Sequence, residues 1–289
     1  MPELLSADAP ELRIQQFDLP LTSLRVGIAG EGPPVIMVPA TISLIEDWSS
    51  MIQFIGKRFT AHFFELPGHG GSTPFAEGYS AERVAETIGH LADAIGAEKF
   101  TLLGFSFGGL LTLKALQMHE PRVDRVVLFS PFVSRKALRH SPAKLAMLRS
   151  TIAILRPELA RRGMLSLLRN PATVSLIDWY MRDVGKFETA ADLKKRLLGF
   201  SASTLDVLLA QVAQILTTEG DDLAGPFDAP CLLGMSVNDP MLDFGFTQEF
   251  VKAQFPDLTE ERWDWAYHAS PHPLTVEEYT NDFAALLDW

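Results

Sequence analysis

The stretch Phe100-Thr-Leu-Leu-Gly-Phe-Ser-Phe-Gly-Gly-Leu-Leu-Thr-Leu-Lys-Ala-Leu116 changes character at its centre. Phe100 to Leu103 is a short apolar run of the kind that forms a buried strand, and Gly108 to Leu116 reads as the start of a helix. Between them stands Gly104-Phe-Ser-Phe-Gly108, a Gly-x-Ser-x-Gly pentapeptide. Its glycines permit a tight turn where strand and helix backbones crowd, and the helix N-terminus below the serine favours developing negative charge. Ser106 is therefore expected to project its hydroxyl into a cleft as a nucleophile.

Working outward, apolar runs rich in β-branched residues alternate with helix-period segments. Strands are predicted at Pro34 to Val38, Ala61 to Glu65, Val126 to Phe129 and Cys231 to Leu233. Leu12 to Phe17 and Leu24 to Ala29 form a leading pair turned near Pro20, and the alternation of Trp263, Trp265 and Tyr267 suggests a last strand. Helical stripes lie between them: Trp48, Met51, Ile52, Ile55 and Phe59; Val84, Ile88, Leu91 and Ile95 after the cap residue Ser80. A final helix opens with the capping-box spacing Thr275-Val-Glu-Glu278 and buries Tyr279, Phe283 and Leu286. This is the pattern of an α/β fold, a mostly parallel eight-stranded sheet with helices on both faces.

The strand rhythm stops after Phe129-Ser-Pro131 and resumes at Cys231. Everything between reads as helix. Ser141-Pro142 and Asn170-Pro171 each place a cap before a proline at the first helical position. Leu145, Leu148, Ile152 and Leu155 make one stripe, Val174, Ile177, Trp179 and Met181 a looser one, and Leu205 to Leu216 a third. The expected organisation is a core formed by residues 1–132 and 230–289, with an all-helical cap at 133–229 inserted within it.

Composition narrows the function classes. With 289 residues, 47% of them hydrophobic, the chain can bury a large core, which excludes disordered and fibrous classes. A formal charge of −11 opposes wrapping a polyanion, so no nucleic-acid partner is expected. The charge is uneven: Ser134 to Phe200 carries 14 Lys and Arg against 5 acids. That excess suits a solvated helix exterior or, alternatively, a field that steers an anionic substrate. The single cysteine, Cys231, excludes an intrachain disulfide. No apolar run approaches the roughly 18 residues of a membrane span. Glu3 and Asp8 stand where a signal peptide would carry a basic, then apolar, segment, so a cytoplasmic protein is expected. No metal-ligand spacing, phosphate loop or dinucleotide fingerprint occurs, and neither metal nor cofactor is expected.

The ordered motifs resemble the α/β-hydrolase fold superfamily, in its serine-nucleophile branch with a helical cap domain. Gly30-Glu-Gly-Pro-Pro-Val-Ile-Met-Val38 is similar to the family's opening strand, Leu66-Pro-Gly-His-Gly-Gly-Ser72 to its Pro-Gly-His-Gly loop, and Gly104 to Gly109 to its nucleophile elbow. The helical insertion sits where the family places its cap. A serine hydroxyl needs a base, itself oriented by an acid, and the resemblance implies the chain order Ser, acid, His. Leu232-Leu-Gly-Met-Ser-Val-Asn-Asp-Pro240 then supplies Asp239 as the acid, with Asp243 as a competitor. His268 follows the predicted last strand and is the preferred base, with His272 as runner-up; His69, in the Pro-Gly-His-Gly loop, is read as structural. Oxyanion donors are expected from the backbone N–H of Phe107 and of Thr41, or of Ala40, because Pro39 has none.

Four positions depart from the family pattern: Pro39-Ala40 for His-Gly, Glu65 for Asp, Ser236 for a Gly before the acid loop, and Tyr267 for the Gly before His. The serine at the elbow argues for acyl chemistry. The implied function is a serine hydrolase acting on a small-molecule acyl substrate: a carboxylic ester, thioester, lactone or β-diketone-type carbon–carbon bond. Trp48, Phe132, Trp179 and Met235 are candidates to line its apolar site. Acyltransferase or cofactor-free haloperoxidase chemistry with the same triad is the alternative. So is a slow or non-catalytic ligand-binding signalling protein of the same fold, which the Pro39-Ala40 replacement favours.

Overall fold

The computed structural model describes residues 9–179, 200–270 and 272–288. Eight strands form one sheet: β1 (Arg13–Asp18), β2 (Ser23–Ala29), β3 (Pro34–Val38), β4 (Thr60–Phe64), β5 (Phe100–Phe105), β6 (Val123–Phe129), β7 (Cys231–Ser236) and β8 (Leu258–Trp263). Their spatial order is β1-β2-β4-β3-β5-β6-β7-β8. The leading pair is antiparallel, turned by reciprocal bonds between Leu19 and Thr22, and β2 meets β4 antiparallel. All other pairings are parallel.

Helices cover both faces: α1 (Ile45–Ile55) and α2 (Ala81–Ala94) bury one apolar stripe each, and α3 (Phe107–His119), the helix that follows Ser106, is apolar and buried nearly all round. On one face, α3 lies against β5 and β6 and α2 packs on α3, burying Val84, Ile88, Leu91 and Leu111 in one core. Ser80 caps α2 by accepting from the Arg83 N–H. On the other face, α1 buries Ile52, Phe54 and Ile55 beside Phe283 and Leu286 of the C-terminal segment. Thr275 and Glu278 form the expected capping box, and the last helix breaks at Phe283 into α9 (Val276–Asp282) and α10 (Ala285–Asp288), following α8 (Phe244–Gln254).

The last strand differs from the expectation. It runs over Leu-Thr-Glu-Glu-Arg-Trp, pairing Cys231 with Leu258 through Ser236 with Trp263. As an edge strand it is largely polar and carries little periodic signal, whereas the alternating aromatic residues lie at and beyond its end. Their rings form a ladder instead: Trp263 and Trp265 stack at 4.6 Å between centroids and Trp265 and Tyr267 at 5.5 Å.

Between β6 and β7 the described elements are helical: α4 (Pro142–Ile154), α5 (Glu158–Leu168), α6 (Pro171–Trp179) and α7 (Ala202–Thr217), with short 3-10 turns. Ser141 and Asn170 cap α4 and α6 as their sequence context predicts. Arg135 and Lys136 share Glu219, while Arg161 pairs with Asp206, Arg162 with Glu158 and Arg139 with Asp243. Five of the nine Lys and Arg described between Ser134 and Phe200 are thus met by ion pairs near the surface, each of small energetic weight. No described helix is long and apolar enough to cross a membrane.

Candidate active site

Parallel strands that end in register deliver their following loops to one edge of the sheet, and crevices form there. Val38 pairs with Gly104, Phe129 with Gly234, and Ser236 with Trp263. The segments carrying Thr41, Ser106, Asp239 and His268 all leave that edge.

Ser106 joins β5 to α3 with φ 53° and ψ −118°. A non-glycine residue at positive φ stores strain, and surrounding bonds must enforce it. Here the Ser106 N–H donates to the Phe129 carbonyl at 3.0 Å, while the Ser106 carbonyl accepts from Phe132 at 2.8 Å and Gly109 at 2.9 Å. The flanking glycines are sterically required: a Cβ on Gly104 would stand 2.3 Å from Thr112 Oγ1, and one on Gly108 would stand 2.4 Å from the Val38 carbonyl oxygen.

The Ser106 hydroxyl lies 2.8 Å from His268 Nε2, and His268 Nδ1 lies 2.7 Å from Asp239 Oδ2. Asp239 is fully buried. Its other oxygen, Oδ1, accepts from the Met241 and Leu242 N–H groups at 2.8 and 2.9 Å. Burial alone would push its carboxyl up, but the hydrogen bond and charge of His268 and the two backbone donors outweigh it and hold the carboxyl below its ordinary value. With Asp239 ionised and accepting at Nδ1, the imidazole presents Nε2 to the serine.

The competing residues have other partners. Asp243 is the N-cap of α8, accepting from Phe246 at 2.9 Å, and faces Arg139 at 3.3 Å. The Phe246 N–H, ahead of Arg139, holds its carboxyl low. His272 is exposed, with Nε2 3.4 Å from Glu278 Oε1. His69 is buried under α7, its Nδ1 3.4 Å from Thr204 Oγ1.

Phe107 opens α3, so its N–H is one of the donors a helix start leaves without an intrahelical acceptor. Thr41 is followed by Ile42, held at φ 37°. Ile42 packs on Leu165, Phe200 and Leu205, which ties this loop to the insert. Of the residues suggested as apolar lining, Phe132 and Met235 are buried in the main core, and the Trp179 side chain lies outside the described residues. Trp48 does reach open space: it borders a cleft of about 520 Å³ together with Phe105, Trp265, Tyr267 and His268.

Three supporting residues carried no catalytic signal in the sequence. Ser236 donates to the Trp265 carbonyl at 2.6 Å and accepts from the Trp265 N–H at 2.9 Å, pinning the loop that bears Asp239 to the segment that leads to His268. Arg139 donates to the Asp239 carbonyl at 3.2 Å. Glu65, fully buried, accepts from Arg25 at 2.6 Å, Ile45 N–H at 3.2 Å and Gly71 N–H at 2.6 Å, so it joins β2, the start of α1 and the Pro-Gly-His-Gly loop. Ser236 and Glu65 stood out only as departures from the family pattern. Among the described residues no cluster of three or more His, Cys, Asp or Glu is arranged to hold a metal ion.

Comparison with known proteins gives the same architecture. N-formylmaleamate deformylase of Pseudomonas putida is 31% identical over 123 residues, which is 42% of this chain and 45% of that protein. The match therefore spans less than half the length of that relative. A pimeloyl-[acyl-carrier protein] methyl ester esterase of Chromobacterium violaceum is 25% identical over 259 residues, covering 86% of this chain and 91% of the esterase. Among solved structures, a thermophilic esterase from Thermogutta terrifontis superposes with a TM-score of 0.68 at 17% identity, covering 95% of this chain and 97% of its own. An N-formylmaleamic acid deformylase from Pseudomonas putida gives a TM-score of 0.68 at 16% identity, over 89% and 94% of the two chains. A family model for the α/β hydrolase fold matches residues 33–184, more than half of the chain. With the strand order, the elbow and this match in agreement, the chain belongs to the α/β hydrolase fold family.

Proposed function

We propose that this protein is a serine hydrolase in which Ser106 is the nucleophile, His268 the general base and Asp239 the acid that orients it. The observation that carries the reading is the continuous hydrogen-bond chain from Ser106 Oγ through both His268 nitrogens to Asp239, at 2.8 and 2.7 Å. Ser106 Oγ attacks the substrate carbonyl carbon while its proton passes to His268 Nε2, and the carbonyl oxygen becomes an oxyanion. The Phe107 N–H and a donor from Thr41 receive that charge. Collapse expels the leaving group, which takes the proton from His268 Nε2, and leaves an acyl group on Ser106. Water then adds with its proton passing to Nε2, and collapse releases the acid and restores the serine.

The substrate class in this reading is a small carboxylic ester or a related acyl compound. The relatives support it: one is named for cleaving a methyl ester and another for removing a formyl group, and both reactions pass through attack on an acyl carbon. Labelling with a fluorophosphonate probe tests the assignment. Wild type should be labelled and Ser106→Ala should not, with ester turnover falling on the order of 10⁴-fold or more in the variant. Absence of labelling in both proteins overturns the nucleophile, and full activity in His268→Ala overturns the base.

A further inference from the structure

The segment that carries His268 is held to the fold by few bonds. Over residues 264–270 the chain forms neither helix nor strand. Among the described residues, Trp265 alone in that stretch has its backbone groups hydrogen-bonded, and one atom serves both of them. Ser236 Oγ donates to the Trp265 carbonyl at 2.6 Å and accepts from the Trp265 N–H at 2.9 Å. It also accepts, at 3.2 Å, from the N–H of Asn238, the residue before Asp239. These three bonds use the one proton and both lone pairs of the hydroxyl. Ser236 is buried, at 2% exposure, so water does not compete for them.

Side chains supply the other restraints on the stretch. Asn238 bonds Asp264, and Trp265 and Tyr267 continue the ring ladder from Trp263. Stacked rings slide over one another at small cost, whereas a hydrogen bond weakens steeply once its angle opens. The register of the segment against the acid loop therefore rests on Ser236. His268 lies three residues beyond that anchor, at most about 10 Å of chain, and its ring must keep 2.7 Å to Asp239 and 2.8 Å to Ser106 at once. We propose that Ser236 is a positioning residue, whose hydroxyl sets the separation of the Asp239 loop from the His268 segment and so keeps the base in line with both partners. This inference rests on the serine hydrolase reading. The base acts in the transition state while the substrate contacts stay in place, so the effect falls on kcat and not on KM.

Ser236→Ala tests this. Trp265 is partly exposed, so water can take up its freed groups and the variant should fold with a wild-type circular dichroism spectrum. Its kcat on a short-chain aryl ester should fall about 10- to 100-fold, with KM within about threefold of wild type. In proton NMR the downfield resonance of the bond between His268 and Asp239, identified by its loss in His268→Ala, should broaden or vanish. Ser236→Thr keeps the hydroxyl and can place its extra methyl in the adjoining cleft, so it should retain the resonance and a kcat within about threefold of wild type. A kcat within about twofold of wild type in Ser236→Ala, a change in KM alone, an unchanged resonance or no rescue by threonine overturns the role. An unfolded Ser236→Ala overturns it too, by making the hydroxyl a folding residue. The resonance is read without turnover. A wild type that shows it, yet neither hydrolyses esters nor reacts with a fluorophosphonate, overturns the hydrolase reading and leaves the role of Ser236 to be decided by the resonance.

Discussion

The sheet with its flanking helices and the helical insert bury their apolar stripes to very different degrees. In α2 the side chains of Val84, Ile88 and Leu91 are all fully buried. In α4 no residue is fully buried, and Leu145, Leu148 and Ile152 are only partly buried. The described insert even presents Met147, Ile154, Leu159 and Leu167 to solvent, Leu159 at 82% exposure. The close-packed part holds the Ser106, His268 and Asp239 geometry, where misplacement of a reacting group is costly. The looser part meets the sheet domain at Ile42, which packs on Leu165, Phe200 and Leu205, and at His69, beside Thr204.

The contrast can be broken from the side of the site first. Asp239→Asn keeps the volume of a buried side chain but removes the charge that orients His268. Its kcat should fall on the order of 10⁴-fold, with a circular dichroism spectrum like that of wild type. A variant that unfolds instead would make Asp239 chiefly a structural residue. Next, Ile88→Ala removes buried methyl groups from a region that relaxes little, and chemical denaturation should show a loss of about 2–5 kcal/mol. A loss below about 0.5 kcal/mol would remove the distinction between core and insert.

Acid sharpens the comparison by a smaller amount. The Asp239 carboxyl is held below its ordinary value in the fold, so it stabilises the protein above its unfolded pKa of about 3.9, and that contribution is lost as pH falls through the folded value. The stability difference between wild type and Asp239→Asn should therefore narrow between about pH 5 and pH 3; a difference independent of pH would contradict the assigned shift. The smallest effect belongs to the insert. Leu159→Ser, at its most exposed described leucine, should leave the unfolding free energy within about 0.5 kcal/mol of wild type in chemical denaturation, and a larger loss would show that α5 is covered.

Much of this was legible because local chemistry and global topology coincide. The glycines around Ser106 announce a turn that only a strand-to-helix junction needs, and the strands before and after it are apolar enough to be read as buried. Chain order offered both Asp239 and Asp243 as acids, and only the fold separates them: Asp239 is buried against His268, while Asp243 caps a helix N-terminus and faces Arg139. The edge strand β8 was misplaced because half-exposed strands carry weak periodicity. Phe132 and Met235, read as lining, are buried in the main core, and neither borders the cleft beside Trp48. The aromatic cleft was invisible because Trp48 and Trp265 are far apart in sequence and meet only once the sheet has formed.

Cys231, at the start of β7 and paired to Val126 on one side and Leu258 on the other, is fully buried. Burial also raises its thiol pKa, which suppresses the reactive thiolate. As the chain's single sulfhydryl, it makes the protein its own clock. Under native conditions a thiol reagent can modify it only during moments when β7 parts from its neighbours. The modification rate therefore counts openings of the strand that precedes the acid loop, with no label introduced and no residue replaced.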